Sequence, residues 1–143
     1  MNDPADPYDL QRFVSAQRGI YEQALAELRQ GRKASHWMWF VFPQIAGLGR
    51  SAVSVRYAIG SADEAVAYWR HEVLGPRLKA CIEALMTHRD LSARQIMGSP
   101  DDLKLRSSLT LFAHAIPDEP LFAEALRRFF DGRPDPETLA RLQ

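Results

Sequence analysis

The sequence predicts a mainly α fold: a single compact domain of seven or eight helices. Helix caps recur along the chain, apolar residues return every three or four positions, and no repeat or Gly/Ser linker divides the 143 residues. The composition, 46% hydrophobic and 25% charged with one Cys, excludes disordered, collagenous and disulfide-framework classes. A chain of this size can bury roughly two-thirds of its surface in one core.

Asp6 is placed to cap a first helix beginning at Pro7, with Leu10, Phe13, Val14 and Gln17 on one face. Gly19 marks a break, after which Ile20, Ala24, Leu25 and Leu28 continue at helical spacing to a stop at Gly31. Ser61 and Glu64 form a capping-box pattern for a helix to about His71. Pro76 suits the first turn of the next helix, whose stripe is Leu74, Leu78, Cys81, Ile82 and Leu85, ending near His88. Ser92 opens a short helix to Met97.

Ser99, Pro100, Asp101 and Asp102 signal a strong N-terminus: a hydroxyl cap, a proline whose missing donor costs nothing there, and two carboxylates at the positive end of the dipole. Leu105, Leu109, Phe112 and Ile116 line the inner face of that helix. Another runs from Pro117–Pro120 to Phe129, closed by Asp131 and Gly132, and Asp135 with Pro136 starts the last.

The segment 35–59 reads two ways. Trp37 to Phe42 is aromatic and β-branched enough for a strand, yet Ser35 could cap a short helix ended by Pro43; helix or irregular structure is preferred. Val53, Val55, Tyr57 and Ile59 alternate with a period of two, although Ser51 could equally cap a helix. A small β element around residues 37–59 is therefore allowed for.

Three segments carry the chemistry. His36 to Gln44 holds two of the three Trp and one of the four His. As a core ridge, its indoles fill the interior and His36 and Gln44 bond at its edges; as a binding wall, Trp37 or Trp39 lies against a base or sugar. One ring inward and one in a cleft would satisfy both. Gly47, Leu48, Gly49, Arg50 and Ser51 form a turn that could offer amides and Arg50 to an anion, without the Walker lysine or the spaced Rossmann glycines. Along the helix from Asp101, Lys104 stands one turn from Asp101 and Ser108, and Arg106 one turn from Asp102. Ion pairs within the helix explain this, or Lys104, Arg106 and Ser108 face a cavity holding phosphate or carboxylate. The adjacent Asp101 and Asp102 point about 100° apart and make no dyad by spacing.

Several classes are disfavoured. Eighteen basic residues balance eighteen acidic ones, so the molecule as a whole exerts no long-range pull on nucleic acid or anionic lipid. The run Arg29, Arg32, Lys33 is flanked by acids and reads as a solvated helix end. The longest apolar run, Trp37 to Pro43, falls far short of the ~20 residues a membrane span needs. The acidic start Met1 to Pro7 does not have the layout of a signal peptide, so a cytoplasmic location is expected. Cys81 belongs to an apolar stripe and is expected in the core. His71, His88 and His114 lack ligand spacing, so no metal is expected. No cofactor is implied, and no nucleophile elbow, triad order or CxxC singles out a catalytic residue.

With those residues in view, the sequence resembles the bacterial domain-of-unknown-function 1810 family. The resemblance runs from Asp6–Val14 through Ser35–Gln44 and Gly47–Ser51 to Pro100–Phe112. It implies a mainly helical single domain and no assigned reaction. The label calpastatin attached to some members does not carry over, since that inhibitor is disordered and repetitive whereas this chain is core-rich and unrepeated. A looser similarity, in size and helical content, is to the NADAR proteins, associated with ADP-ribose and N-glycosidic chemistry; no residue is carried over from them.

The leading expectation is a cleft formed by His36, Trp37, Trp39, Gln44, Arg50, Lys104, Arg106 and Ser108 that binds a small anionic ligand. A nucleotide, an ADP-ribose-like molecule or a sugar phosphate would suit it, and hydrolysis of an N-glycosidic or phosphoester bond is the first candidate reaction. The alternative is a noncatalytic protein-interaction domain in which the aromatic segment is structural core or partner surface.

Overall fold

A computed structural model describes residues 4–143. Among the described residues there are ten helices and no strand: α1 Gln11–Gln17, α2 Tyr21–Gln30, α3 Met38–Val41, α4 Ala52–Arg56, α5 Ala62–Arg70, α6 Leu74–Met86, α7 Ala93–Met97, α8 Asp101–Ala115, α9 Pro120–Phe130 and α10 Pro136–Arg141. The long ones stand where the periodicity put them. The count exceeds the expected seven or eight because α3 and α4 are single turns inside the ambiguous segment.

The caps explain most boundaries. Ser51, Ser61 and Ser92 each accept an amide hydrogen bond three residues on, and Ser92 with Gln95 completes a reciprocal capping box. Gly31, at φ +80°, closes α2, and Asp131, at φ +55°, closes α9.

Ser35 does not cap α3, whose N-cap is Trp37 with no side-chain bond, and three further caps differ from expectation. The Asp6 carboxylate accepts from the amides of Leu10 and Gln11, but α1 starts only at Gln11, because Asp9 at φ +52° interrupts any helix from Pro7. The Glu64 carboxylate turns to the Gly60 amide and the Arg12 guanidinium instead of closing a box on Ser61. Ser99 does not cap α8, whose Asp102 amide bonds to the Gly98 carbonyl.

The allowance for a β element reduces to one parallel bridge between Ile45 and Ile59. Val53, Val55 and Tyr57 do not alternate along a strand, because Ser51 caps α4 and Val53 and Val55 stay exposed.

α8 is the central element, touching α5, α7, α9 and α10. It buries an unbroken run from Ser107 to Phe112 in addition to Leu105, as a helix packed on all sides must. Its hydroxyls are accommodated by back-bonding: Ser107 donates to the Leu103 carbonyl and Thr110 to the Arg106 carbonyl. A row of rings crosses this core, with Phe13 edge-on to Tyr68, Tyr68 tilted on Phe112, and Phe112 stacked on Phe122.

Cys81 lies in the core as expected, and burial pushes its thiol up to about 12. The native protein is therefore expected to leave this thiol unmodified by a thiol-exchange reagent at pH 8, reacting only after denaturant is added; prompt native labelling would contradict the buried placement.

Candidate functional site

The site begins where Pro43 ends the aromatic segment. The Gln44 carbonyl accepts from the Ile59 amide and the Ile59 carbonyl from the Ala46 amide, both at 2.8 Å. These bonds close an excursion of the chain that carries the Gly47–Arg50 turn and α4. Its far end is clamped by Arg12, whose guanidinium donates to the carbonyls of Arg56 (2.9 Å) and Ala58 (2.8 Å) and pairs with Glu64 at 2.8 Å.

The two glycines of the turn serve close packing. Gly47, at φ +98°, leaves the room that the Arg141 guanidinium fills, and a Cβ on Gly49 would stand 2.6 Å from the Ser54 hydroxyl. The turn is thus pressed against both α10 and α4.

Between this excursion, α8 and the start of α10 lies a cleft of about 460 Å³. Trp39, Gln44, Arg50, Tyr57, Lys104 and Asp135 are among its lining residues, with Leu103, Ser107 and Glu137. Its volume is ordinary for a small-molecule site. Arg50 is exposed and makes no ion pair among the described residues. The Lys104 ammonium lies 4.5 Å from the centroid of the Trp39 ring and 3.4 Å from Asp101. Asp101 also holds the nearly buried Lys33 at 2.9 Å, so two lysines share one carboxylate and the group keeps a positive charge.

Asp135 is fixed through one oxygen. Its Oδ2 accepts from the Ser107 hydroxyl at 3.0 Å and from the amide and hydroxyl of Thr138 at 3.2 and 2.5 Å. Its Oδ1 accepts nothing from the described residues.

Four of the eight residues expected to line a cleft do so: Trp39, Gln44, Arg50 and Lys104. The other four lie elsewhere. His36 is exposed in the turn before α3. Trp37 is fully buried, its indole donating to Glu27 at 2.9 Å beneath the Lys33 ammonium. Arg106 donates to the carbonyls of Arg133 and Pro134, both at 2.8 Å, and thereby sets the bend that delivers Asp135. Ser108 is buried away from the cleft, its hydroxyl unpartnered, while its neighbour Ser107, about 100° round the helix, takes the lining position.

Ser107, Asp135 and Glu137 also line the cleft, and no sequence pattern singles them out for it. Asp135–Pro136 signalled only a helix start, and nothing local says that α10 returns to the Gly47 turn. Among the described residues no group of three His, Cys, Asp or Glu could hold a metal. His71 accepts from the amides of Val73 and Leu74, and the His88 ring meets the Leu28 carbonyl, which are structural roles. No helix among the described residues is long and apolar enough to cross a membrane.

The model of the family described as "Protein of unknown function (DUF1810)" matches residues 7–142. The chain is also similar to a conserved hypothetical protein from Mycobacterium tuberculosis whose crystal structure is known. That similarity is 50% identity over 96% of this chain and 98% of the other, with a TM-score of 0.94. No curated protein matches the chain.

Proposed function

We propose that the chain, which belongs to the DUF1810 family, binds a small anionic ligand in the cleft between the 44–58 excursion, α8 and α10. The observation that carries this reading is that Arg50 and Lys104, far apart in sequence, line one cleft, Arg50 without a carboxylate of its own. An unpaired guanidinium at a concave site with a second cation nearby is suited to a phosphate or carboxylate. Nucleotides, ADP-ribose-like molecules and sugar phosphates are the candidate ligands, and a cytoplasmic location goes with this reading. Where binding leads to hydrolysis of an N-glycosidic or phosphoester bond, the carboxylate to test first is Asp135, held through Oδ2 with Oδ1 unclaimed.

The test is a thermal-shift series with nucleotides, NAD, ADP-ribose and sugar phosphates, repeated on Arg50→Ala. A ligand present at a hundred times its Kd adds about 2.7 kcal/mol, a rise of several degrees for a chain of this size. The shift is expected in the native protein and is expected to vanish in Arg50→Ala, whose unliganded Tm stays within about 2 °C because the side chain is exposed. A flat series across all these anions would overturn the reading.

One observation favours a second reading as an interaction domain. α4 buries no residue, and the exposed large apolar side chains are Val53 and Val55 on α4 and Leu103 on the lining of the cleft. A flat ligand series together with retained fold would favour that alternative.

A further inference from the structure

Resting on the anion-site reading above, we infer that the ligand is a phosphorylated sugar or polyol, recognised through its phosphate and its hydroxyls and not by stacking of an aromatic base. The reason is which groups of the cleft are already used. Trp39 packs against the core and carries the Lys104 ammonium over its ring at 4.5 Å. Tyr57 carries the Arg56 guanidinium at 5.5 Å and meets Phe13 and Phe40 with ring centroids 5.9 and 5.4 Å away. Both rings of the cleft therefore already have a cation of the chain over them. A base stacking on Trp39 would have to displace the ammonium that lies there.

The polar groups divide in the same way. Ser51 and Ser54 bond to each other at 2.6 Å, and the single hydroxyl proton of Ser107 is shared between Asp135 and the Leu103 carbonyl. Among the lining side chains the chain leaves unclaimed the Arg50 guanidinium, the Gln44 amide and the Trp39 indole N–H as donors, with Asp135 Oδ1 and the exposed Glu137 carboxylate as acceptors. Carboxylates repel a bare phosphate and can only accept hydrogen bonds. A ligand that satisfies both halves brings an anion to Arg50 and hydroxyl donors to Asp135 and Glu137. A phosphorylated polyhydroxy compound has that layout.

Calorimetric titration of the full chain with inorganic phosphate, ribose 5-phosphate, glucose 6-phosphate, adenosine and adenosine 5′-monophosphate tests this. At least one sugar phosphate is expected to bind about tenfold or more tighter than inorganic phosphate, with adenosine not binding. In Glu137→Gln, and in Asp135→Asn where α10 stays folded, that advantage is expected to shrink about tenfold, the effect of losing a hydrogen bond to a charged acceptor. Binding of inorganic phosphate is expected to hold or tighten in the same variants, because a repelling charge has gone. Glu137 is exposed, so its variant gives up only the small contribution of a first-turn carboxylate to α10 and still reads recognition. If inorganic phosphate binds through Arg50 and neither sugar phosphate binds tighter, the inference fails and the anion site stands. Adenosine binding as tightly as its monophosphate would overturn the inference in favour of stacking. If no phosphate compound binds, both this inference and the reading beneath it fall.

Discussion

Replacing Glu27 by alanine is expected to cost about 3–5 kcal/mol, enough to leave a domain of ordinary stability close to unfolding. Glu27 sits on α2, buried, and is the hub of the turn that leads into the aromatic segment. One oxygen accepts from the amides of Ala34 (2.7 Å) and Ser35 (3.0 Å) and from the Trp37 indole (2.9 Å). The other accepts from the Ser35 hydroxyl at 2.6 Å and the Gln23 amide at 3.2 Å. Alanine strands three donors on one side, the amides of Ala34 and Ser35 and the buried Trp37 indole. Trp37 is the largest fully buried side chain, and Trp39 two residues on lines the cleft, so the loss reaches the site as well as the core.

Burial works against the charge on Glu27, but the bonds from Ser35, Ala34 and Trp37 outweigh it and bring its carboxyl from 4.5 down to about 2. A carboxylate depressed in the folded state stabilises fully above its unfolded pKa, and that contribution disappears as pH falls from about 4.5 through about 2. By linkage it amounts to roughly 3 kcal/mol. Denaturant melts of the native protein and Glu27→Gln at pH 7 and pH 2.5 check this. The gap between them is expected to be wide at pH 7 and mostly closed at pH 2.5; a gap independent of pH would show that the charge is not what holds the turn.

How legible this molecule was in its sequence depends on distance along the chain. The caps at Ser51, Ser61 and Ser92, the stop at Gly31 and the stripe Leu74–Leu78–Ile82–Leu85 are local matters of spacing and hydrogen bonding, and the structure keeps them. Asp6 and Ser99 misled because a cap depends on backbone angles that the residue type does not fix: Asp9 takes a positive φ and delays α1, and the first amides of α8 bond to backbone carbonyls. The period of two from Val53 to Ile59 was overruled by one serine able to cap a helix.

At the site, residue type pointed to the right segments and not to the right atoms. Two indoles two residues apart were separated because only one of them meets a hydrogen-bond acceptor. Trp37 found Glu27, ten residues earlier, and went inward; Trp39 found only a lysine and stayed at the edge. Arg106 had the chemistry of an anion ligand, yet two backbone carbonyls of the 133–134 bend claim it. Asp135 and Glu137 enter the cleft because α10 folds back on the Gly47 turn through Arg141, a contact no local pattern encodes.

The other large effect is expected at Gly75, on the opposite kind of constraint. Gly75 is the second residue of α6, buried, where the chain turns out of α5, and a Cβ added there would land on the carbonyl oxygen of Trp69 and 3.0 Å from its carbonyl carbon. The obstacle is backbone, so no rotamer change relieves it, and α5 and α6 must separate. Both pack on the core, α5 directly on α8, with Trp69 set edge-on to Phe122 at 4.9 Å. Overpacking of this sort usually costs 1–3 kcal/mol and more when backbone must move, so Gly75→Ala is expected to lose about 3 kcal/mol, near 10 °C in Tm. Gly19→Ala supplies the contrast: nothing lies within 4 Å of its Cβ, and only its φ of +75° opposes the change, for about 1 kcal/mol. Calorimetric melts of both variants test the comparison, and equal losses would show that the clash with the Trp69 carbonyl is relieved without α5 and α6 separating. Because Gly75 does not line the cleft, ligand affinity well below the lowered Tm is expected to survive in Gly75→Ala, unlike in Arg50→Ala.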